Sequence, residues 1–136
     1  MKYNYKFFFK EHELFDFLKE YFIKDLEKSE DKMSRHDCIS KAYNMDIELK
    51  CRRKHYDGLI IEKKKYDALM KRAENNGTFP TYINSTPEGV WAFYLKRYGD
   101  VEWETKDLPR NTDFSKRSNI PKEIGYLDIS KGVKLT

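Results

Sequence analysis

Cysteine is scarce in this chain: Cys38 and Cys51 are the two present among 136 residues, and they form no CxxC pair. That disfavours a disulfide framework and a structural zinc site, and it fits a reducing cytoplasm. Proline (4) and glycine (6) are sparse, so no linker interrupts the chain and a single domain over residues 1–136 is expected. No apolar run approaches ~18 residues, which excludes a membrane-spanning helix. Lys6 and Lys10 bracket only Phe7, Phe8 and Phe9, too short a run for the apolar region of a signal peptide. There is no internal repeat and no low-complexity tract. A Gly-rich phosphate loop, G-x-S-x-G and H-E-x-x-H are all missing, and His12, His36 and His55 lack metal-ligand spacing.

Charge and aromatic rings are what the chain does have. Charged residues make up 37% and hydrophobic ones 39%, against a usual ~25% and ~45–50%. That balance alone would fit disorder, but 9 Phe, 10 Tyr and 2 Trp argue for a packed core under a charged surface. The formal net charge is only +4, yet its distribution is uneven. Residues 10–31 hold eight acids and four lysines, a net of −4, whereas residues 50–72 hold nine bases and three acids, a net of +6. A basic segment of this kind fits a footprint for phosphate, and it equally fits a solvated Lys/Arg face.

Periodicity gives an order of elements. Leu14, Leu18, Tyr21 and Phe22, widened by Phe15 and Leu26, predict an amphipathic helix over 9–28. A weak strand over 35–42 is followed by a turn at Tyr43 and Asn44. A clear strand over 45–51 comes next, where Met45, Ile47, Leu49 and Cys51 alternate with charged residues. Residues 58–61 read as a short buried strand. Residues 63–75 switch to helical period, with Gly77 as the stop. Strands over 81–84 and 90–95 flank a turn at 85–89, and a hairpin is expected from 126–129 and 133–135. The expected fold is α/β (α+β mixed), with a mixed central sheet flanked by helices, a core over about 9–95 and a C-terminal β extension over about 96–136.

The strand over 45–52 carries the most chemistry. Asp46, Glu48, Lys50 and Arg52 share one face, with Glu48 and Lys50 ~6–7 Å apart along the strand. A carboxylate and an ammonium so spaced suit a hard cation and the water beside it; a charged solvent face has the same pattern. Magnesium takes one or two protein carboxylates, its other ligands being waters and substrate phosphates. Asp37, eleven residues before Glu48, is a candidate second carboxylate across a hairpin, with Asp46 as its competitor. Glu11 stands at the head of the helix's apolar stripe, as a third acid or as a first-turn acid favoured by the helix dipole. Glu13 and Glu20 sit on more polar faces. Trp91, Phe93 and Tyr94 read as sheet core before stacking platforms, and both cysteines as small buried residues.

The order αβββαβ, with Asp37 on one strand and Glu48, Leu49 and Lys50 on the next, resembles the PD-(D/E)xK nuclease superfamily. Residues 48–70, ELKCRRKHYDGLIIEKKKYDALM, resemble its small phage-type members in particular. They run from an E-x-K strand through a basic turn and a Leu/Ile strand ending in Glu to a Lys-rich helix start. The resemblance spans roughly residues 9–95. It continues more faintly through Leu108 and Pro109, Thr112 to Phe114, and Ile120 to Lys122. His36 stands where the family name has proline.

The resemblance implies a restriction-endonuclease-like core and metal-assisted hydrolysis of DNA, with Mg²⁺ as cofactor and Mn²⁺ as substitute. Asp37 and Glu48 would bind the metal with the Leu49 carbonyl. Lys50 would orient or deprotonate the attacking water, and Glu11 would be the outlying helix acid. Arg52, on the face of Glu48 and Lys50, would fork onto a phosphate, with Arg53 and Lys54 as backbone grips. Lys63, Lys64 and Lys65 would meet phosphate at a helix start, where exposed N–H groups favour anions. Expected partners are DNA and, on symmetry grounds, a second copy, in a cytoplasm that would be a bacterial host's if the chain is phage-encoded. The rival expectations are a non-catalytic nucleic-acid-binding protein on the same fold and a phage protein that inhibits a host protein.

Overall fold

Period-two alternation over residues 45–51 becomes a strand in the computed structural model, which describes residues 8–29, 37–109 and 119–136. The elements in chain order begin with α1 (Glu11–Tyr21), β1 (Glu27–Lys28), β2 (Asp37–Ser40), β3 (Met45–Cys51), β4 (Gly58–Glu62) and α2 (Lys63–Asn76). They continue with β5 (Phe79–Thr86), β6 (Gly89–Tyr94), α3 (Leu95–Tyr98), β7 (Glu104–Pro109), β8 (Asn119–Asp128) and β9 (Val133–Lys134). Six strands form a mixed sheet in the order β1-β2-β3-β5-β6-β9, with β3 and β5 parallel and the other pairs antiparallel. A parallel pair needs a long crossover, and the β4–α2 segment supplies it.

Each face of that sheet has its own core. Leu14, Phe17 and Leu18 of α1 cover Ile47, Leu49, Ile83, Val90 and Ala92 on one side. Tyr82, Trp91 and Phe93 point to the other side and pack with Leu69 of α2, Leu59 and Ile61 of β4, and Leu127 of β8. Trp91 and Phe93 are therefore core, as expected, and Tyr94 is half-buried against the core of the other face. The α2 helix covers 63–76 and stops at Gly77, whose φ of 66° is the left-handed cap that glycine accepts without a Cβ clash.

Three expectations are corrected. The first helix ends at Tyr21 instead of 28. The N–H groups of Phe22 and Ile23 both close on the Leu18 carbonyl, and Ile23 and Leu26 turn into the core. The chain then supplies β1, an unforeseen strand, so β1-β2-β3 is the antiparallel trio of the main sheet. Second, β4 does not join that sheet; it pairs with β8 in a separate three-stranded sheet ordered β4-β8-β7. Third, the expected hairpin of 126–129 with 133–135 does not form, because β8 pairs with β4 and β7 while β9 pairs with β6. The C-terminal residues thus complete both sheets.

Gly125 marks where β8 passes under the 101–103 segment. A Cβ there would meet the Val101 side chain, the Glu102 carbonyl at 3.0 Å and the Trp103 ring at 3.2 Å. Gly125→Ala is expected to lower stability by about 1–3 kcal/mol through that overpacking, read as a lower urea midpoint with an unchanged slope. No helix among the described residues is long and apolar enough to cross a membrane.

Candidate metal and phosphate site

The turn at 41–44 sets the geometry of the site. The Asp25 carboxylate accepts from the Ser40 hydroxyl at 2.7 Å and from the Ala42 N–H at 2.8 Å, and Asn44 takes a left-handed φ of 54°. With the turn held, Ser40 pairs with Met45 and Asp37 falls directly opposite Glu48. The Asp37 carbonyl accepts the Ser29 N–H at 3.0 Å, so the backbone polar groups of Asp37 face β1 and away from β3. Asp37 and Glu48 are therefore a non-hydrogen-bonded pair, the type whose Cα atoms lie only ~4.5 Å apart. Arg52 donates its N–H to Ser85 of β5 at 2.8 Å. Backbone direction alternates along a strand, so Glu48 and Lys50 also face β5, and the Leu49 carbonyl faces the β2 side, where Asp37 lies.

Burial and like charge act together on Glu48. Desolvation, and then the Asp37 carboxylate, push its pKa up to about 7. Lys50 moves the opposite way: burial, then Lys65 and Arg52, hold it below the usual lysine value, while Glu11 and Glu62 pull it back. Asp37 and Glu48 line an open cleft of about 900 Å³ with Lys63, Lys64 and Lys65. Asp37 also borders a smaller pocket of about 250 Å³ with Glu11 and Leu49. Glu11 thus approaches the Asp37 end from the α1 side, away from the large cleft. Glu13 is spent elsewhere, its carboxylate accepting the N–H groups of Phe9 and Lys10 at the start of α1.

The competitor acid, Asp46, is 1% exposed. It accepts from Arg72 Nε at 2.9 Å, from Asn76 Nδ2 at 3.1 Å and from the Thr78 hydroxyl. A carboxylate so enclosed is an anchor for α2. The same Arg72 gives its Nη1 to Asp37 at 2.6 Å. Its Nη2 is buried and has no hydrogen-bond partner among the described residues.

The basic residues divide. Arg52 turns inward: its Nε donates to Asn84 at 2.7 Å, and its Nη2 to the Tyr82 hydroxyl at 3.3 Å and to the Ile60 carbonyl. It ties β3 to β4 and β5 in place of the phosphate fork expected of it, because β4 stacks over the face it shares with Glu48. Arg53 and Lys54 are exposed beyond the strand end. Lys63 leans on Asp67 at 2.7 Å. Lys64 and Lys65 are exposed, and Lys65 lies close enough to shift both Glu48 and Lys50. His36 and residues 112–114 lie outside the described residues, and both cysteine thiols are pushed up to about 12 by burial.

Sequence reasoning missed Arg72, Glu62 and Lys122 as members of the site. Glu62, at the end of β4, meets Lys122 of β8 at 2.6 Å and Lys65 at 3.8 Å. Burial raises its carboxyl, but Lys122, together with Lys65 and Lys50, leaves it below the usual value. A local signal existed for Arg72, since it shares the stripe of Leu69, Ala73 and Asn76 on α2, where an arginine needs a buried partner. No local signal existed for Lys122.

Among the described residues, no group of three or more His, Cys, Asp or Glu side chains gathers as a metal centre. Two adjacent carboxylates and a backbone carbonyl are nevertheless donors of the kind magnesium accepts when water and phosphate complete its shell. The chain matches no protein-family model, no curated protein and no solved structure.

Proposed function

We propose that this protein is a magnesium-dependent nuclease of the PD-(D/E)xK type that hydrolyses phosphodiester bonds of DNA. The observation that carries the reading is the direct pairing of Asp37 with Glu48, with Lys50 two residues along on the same face. Asp37, Glu48 and the Leu49 carbonyl would hold the ion, which when bound lowers the pKa of its water and offsets charge on the phosphoryl group. Lys50 stands beside that position, where it orients the water and supplies charge or accepts a proton. Lys65 adds positive charge in the same cleft, and Arg53 and Lys54, exposed beyond the end of β3, would grip the DNA backbone. One observation favours a second reading, a DNA-binding protein without catalysis: Arg72 already neutralises Asp37.

Plasmid and oligonucleotide DNA incubated with Mg²⁺ or Mn²⁺ separate the two. The nuclease reading expects metal-dependent cleavage that Glu48→Ala abolishes while binding survives; binding with no cleavage under any metal selects the other. Either reading needs a phosphate-tracking surface. With about four cations engaged, affinity should fall roughly 10²-fold between 50 and 200 mM salt, and Arg53→Ala with Lys54→Ala should flatten that slope. A salt-independent affinity in a filter-binding series would eliminate the proposed surface.

A further inference from the structure

We infer that Arg72 is a positioning residue that holds Asp37 in place for the metal by anchoring it to the buried Asp46. The inference rests on the metal-site reading above and deepens it.

One guanidinium spans two strands here. Nε is fixed on Asp46 of β3 at 2.9 Å and Nη1 on Asp37 of β2 at 2.6 Å. The anchor is firm, since Asp46 also takes Asn76 and Thr78 and its side chain is 1% exposed. Asp37 is itself buried, and Arg72 of α2 holds its Oδ2 at 2.6 Å, so the fork from α2 sets where its carboxylate points. An arginine fork suits this better than a lysine, because its planar nitrogens hold both carboxylates at fixed angles. A carboxylate has two oxygens, and Arg72 takes Oδ2 of Asp37. Partners that orient a metal ligand in this way typically change metal affinity by 10–100-fold when removed.

The sign of the effect separates positioning from simple electrostatics. Removing a positive charge beside a cation site would by itself tighten binding of the cation. Positioning predicts the reverse. The test is Mn²⁺ binding to the purified full chain without DNA, followed by calorimetry and by the electron paramagnetic resonance of free Mn²⁺. Near-ultraviolet circular dichroism establishes that each variant is folded. Arg72→Gln should weaken Mn²⁺ binding about 10–100-fold. Asp46→Asn, which loosens the anchor but also removes a nearby negative charge and disturbs Asn76 and Thr78, should weaken it in the same direction and is read only beside the Arg72 variants. Arg72→Lys, which keeps the charge and loses the fork, should also weaken it and serves if Arg72→Gln does not fold. Unchanged or tighter Mn²⁺ binding in these folded variants, alongside loss of binding in Asp37→Asn, overturns the role of Arg72 and leaves the metal site standing. Mn²⁺ binding that Asp37→Asn does not alter overturns the metal site and this inference with it.

Discussion

Lys50→Met is expected to lower metal-dependent DNA cleavage by about 10²–10⁴-fold, the range for a positioned acid–base group, with DNA affinity nearly unchanged. The side chain stands on the face of Glu48, and burial with Lys65 and Arg52 holds its pKa below 10.5. A lysine in that setting gives up its proton more readily than one in water, so the cleavage rate should stop rising with pH below the ordinary lysine value. The proposed phosphate grip belongs to other residues, so binding should persist. Single-turnover cleavage and a binding isotherm on one oligonucleotide read both quantities. Cleavage by Lys50→Met at the wild-type rate would falsify the site.

Glu48→Gln should stabilise the metal-free protein at high pH. Glu48 has a pKa of about 7 when folded, against 4.5 for an unperturbed glutamate. Between those values the folded chain keeps a proton that the unfolded chain has released, so stability falls as pH rises through that window and stays low above it. The full penalty is at most roughly 3 kcal/mol. Wild type and Glu48→Gln should therefore agree in urea midpoint near pH 4.5 and diverge up to pH 7, with the variant more stable at pH 8. Magnesium should close the gap from the wild-type side, because a ligand of the native state alone stabilises it by mass action. Equal midpoints for both proteins at pH 8 without metal would show that Glu48 is not strained by its neighbours.

Much of the fold was legible because its signals are local. The alternation of Met45, Ile47, Leu49 and Cys51 needs only neighbours in sequence to reveal a strand, and β3 begins and ends where that alternation does. The stripe of Tyr66, Leu69, Met70 and Ala73 and the stop at Gly77 marked α2 in the same way. Sheet partners were less legible. Leu59 and Ile61 read as a buried strand in any sheet, and nothing near them says that the partner is β8, more than sixty residues on. The short β1 was invisible because two residues carry no period. For the candidate site, the pairing of Asp37 with Glu48 follows from hairpin spacing. Whether Asp46 or Asp37 faces the cleft depended on where α2 lands.

The unequal charge seen in the sequence has the same division. Sequence alone determined that a basic stretch begins at the E-x-K strand and that Glu48 and Lys50 share a face, because strand geometry fixes both locally. Tertiary structure decided how those charges are used. Arg52 is spent on Asn84, Tyr82 and a β4 carbonyl, and Arg72 reaches back to Asp37 and Asp46. Lys122 arrives from the far end of the chain to meet Glu62. The physical reason is that a long cationic side chain takes whichever acceptor lies within reach, and reach is set by packing between elements distant in sequence.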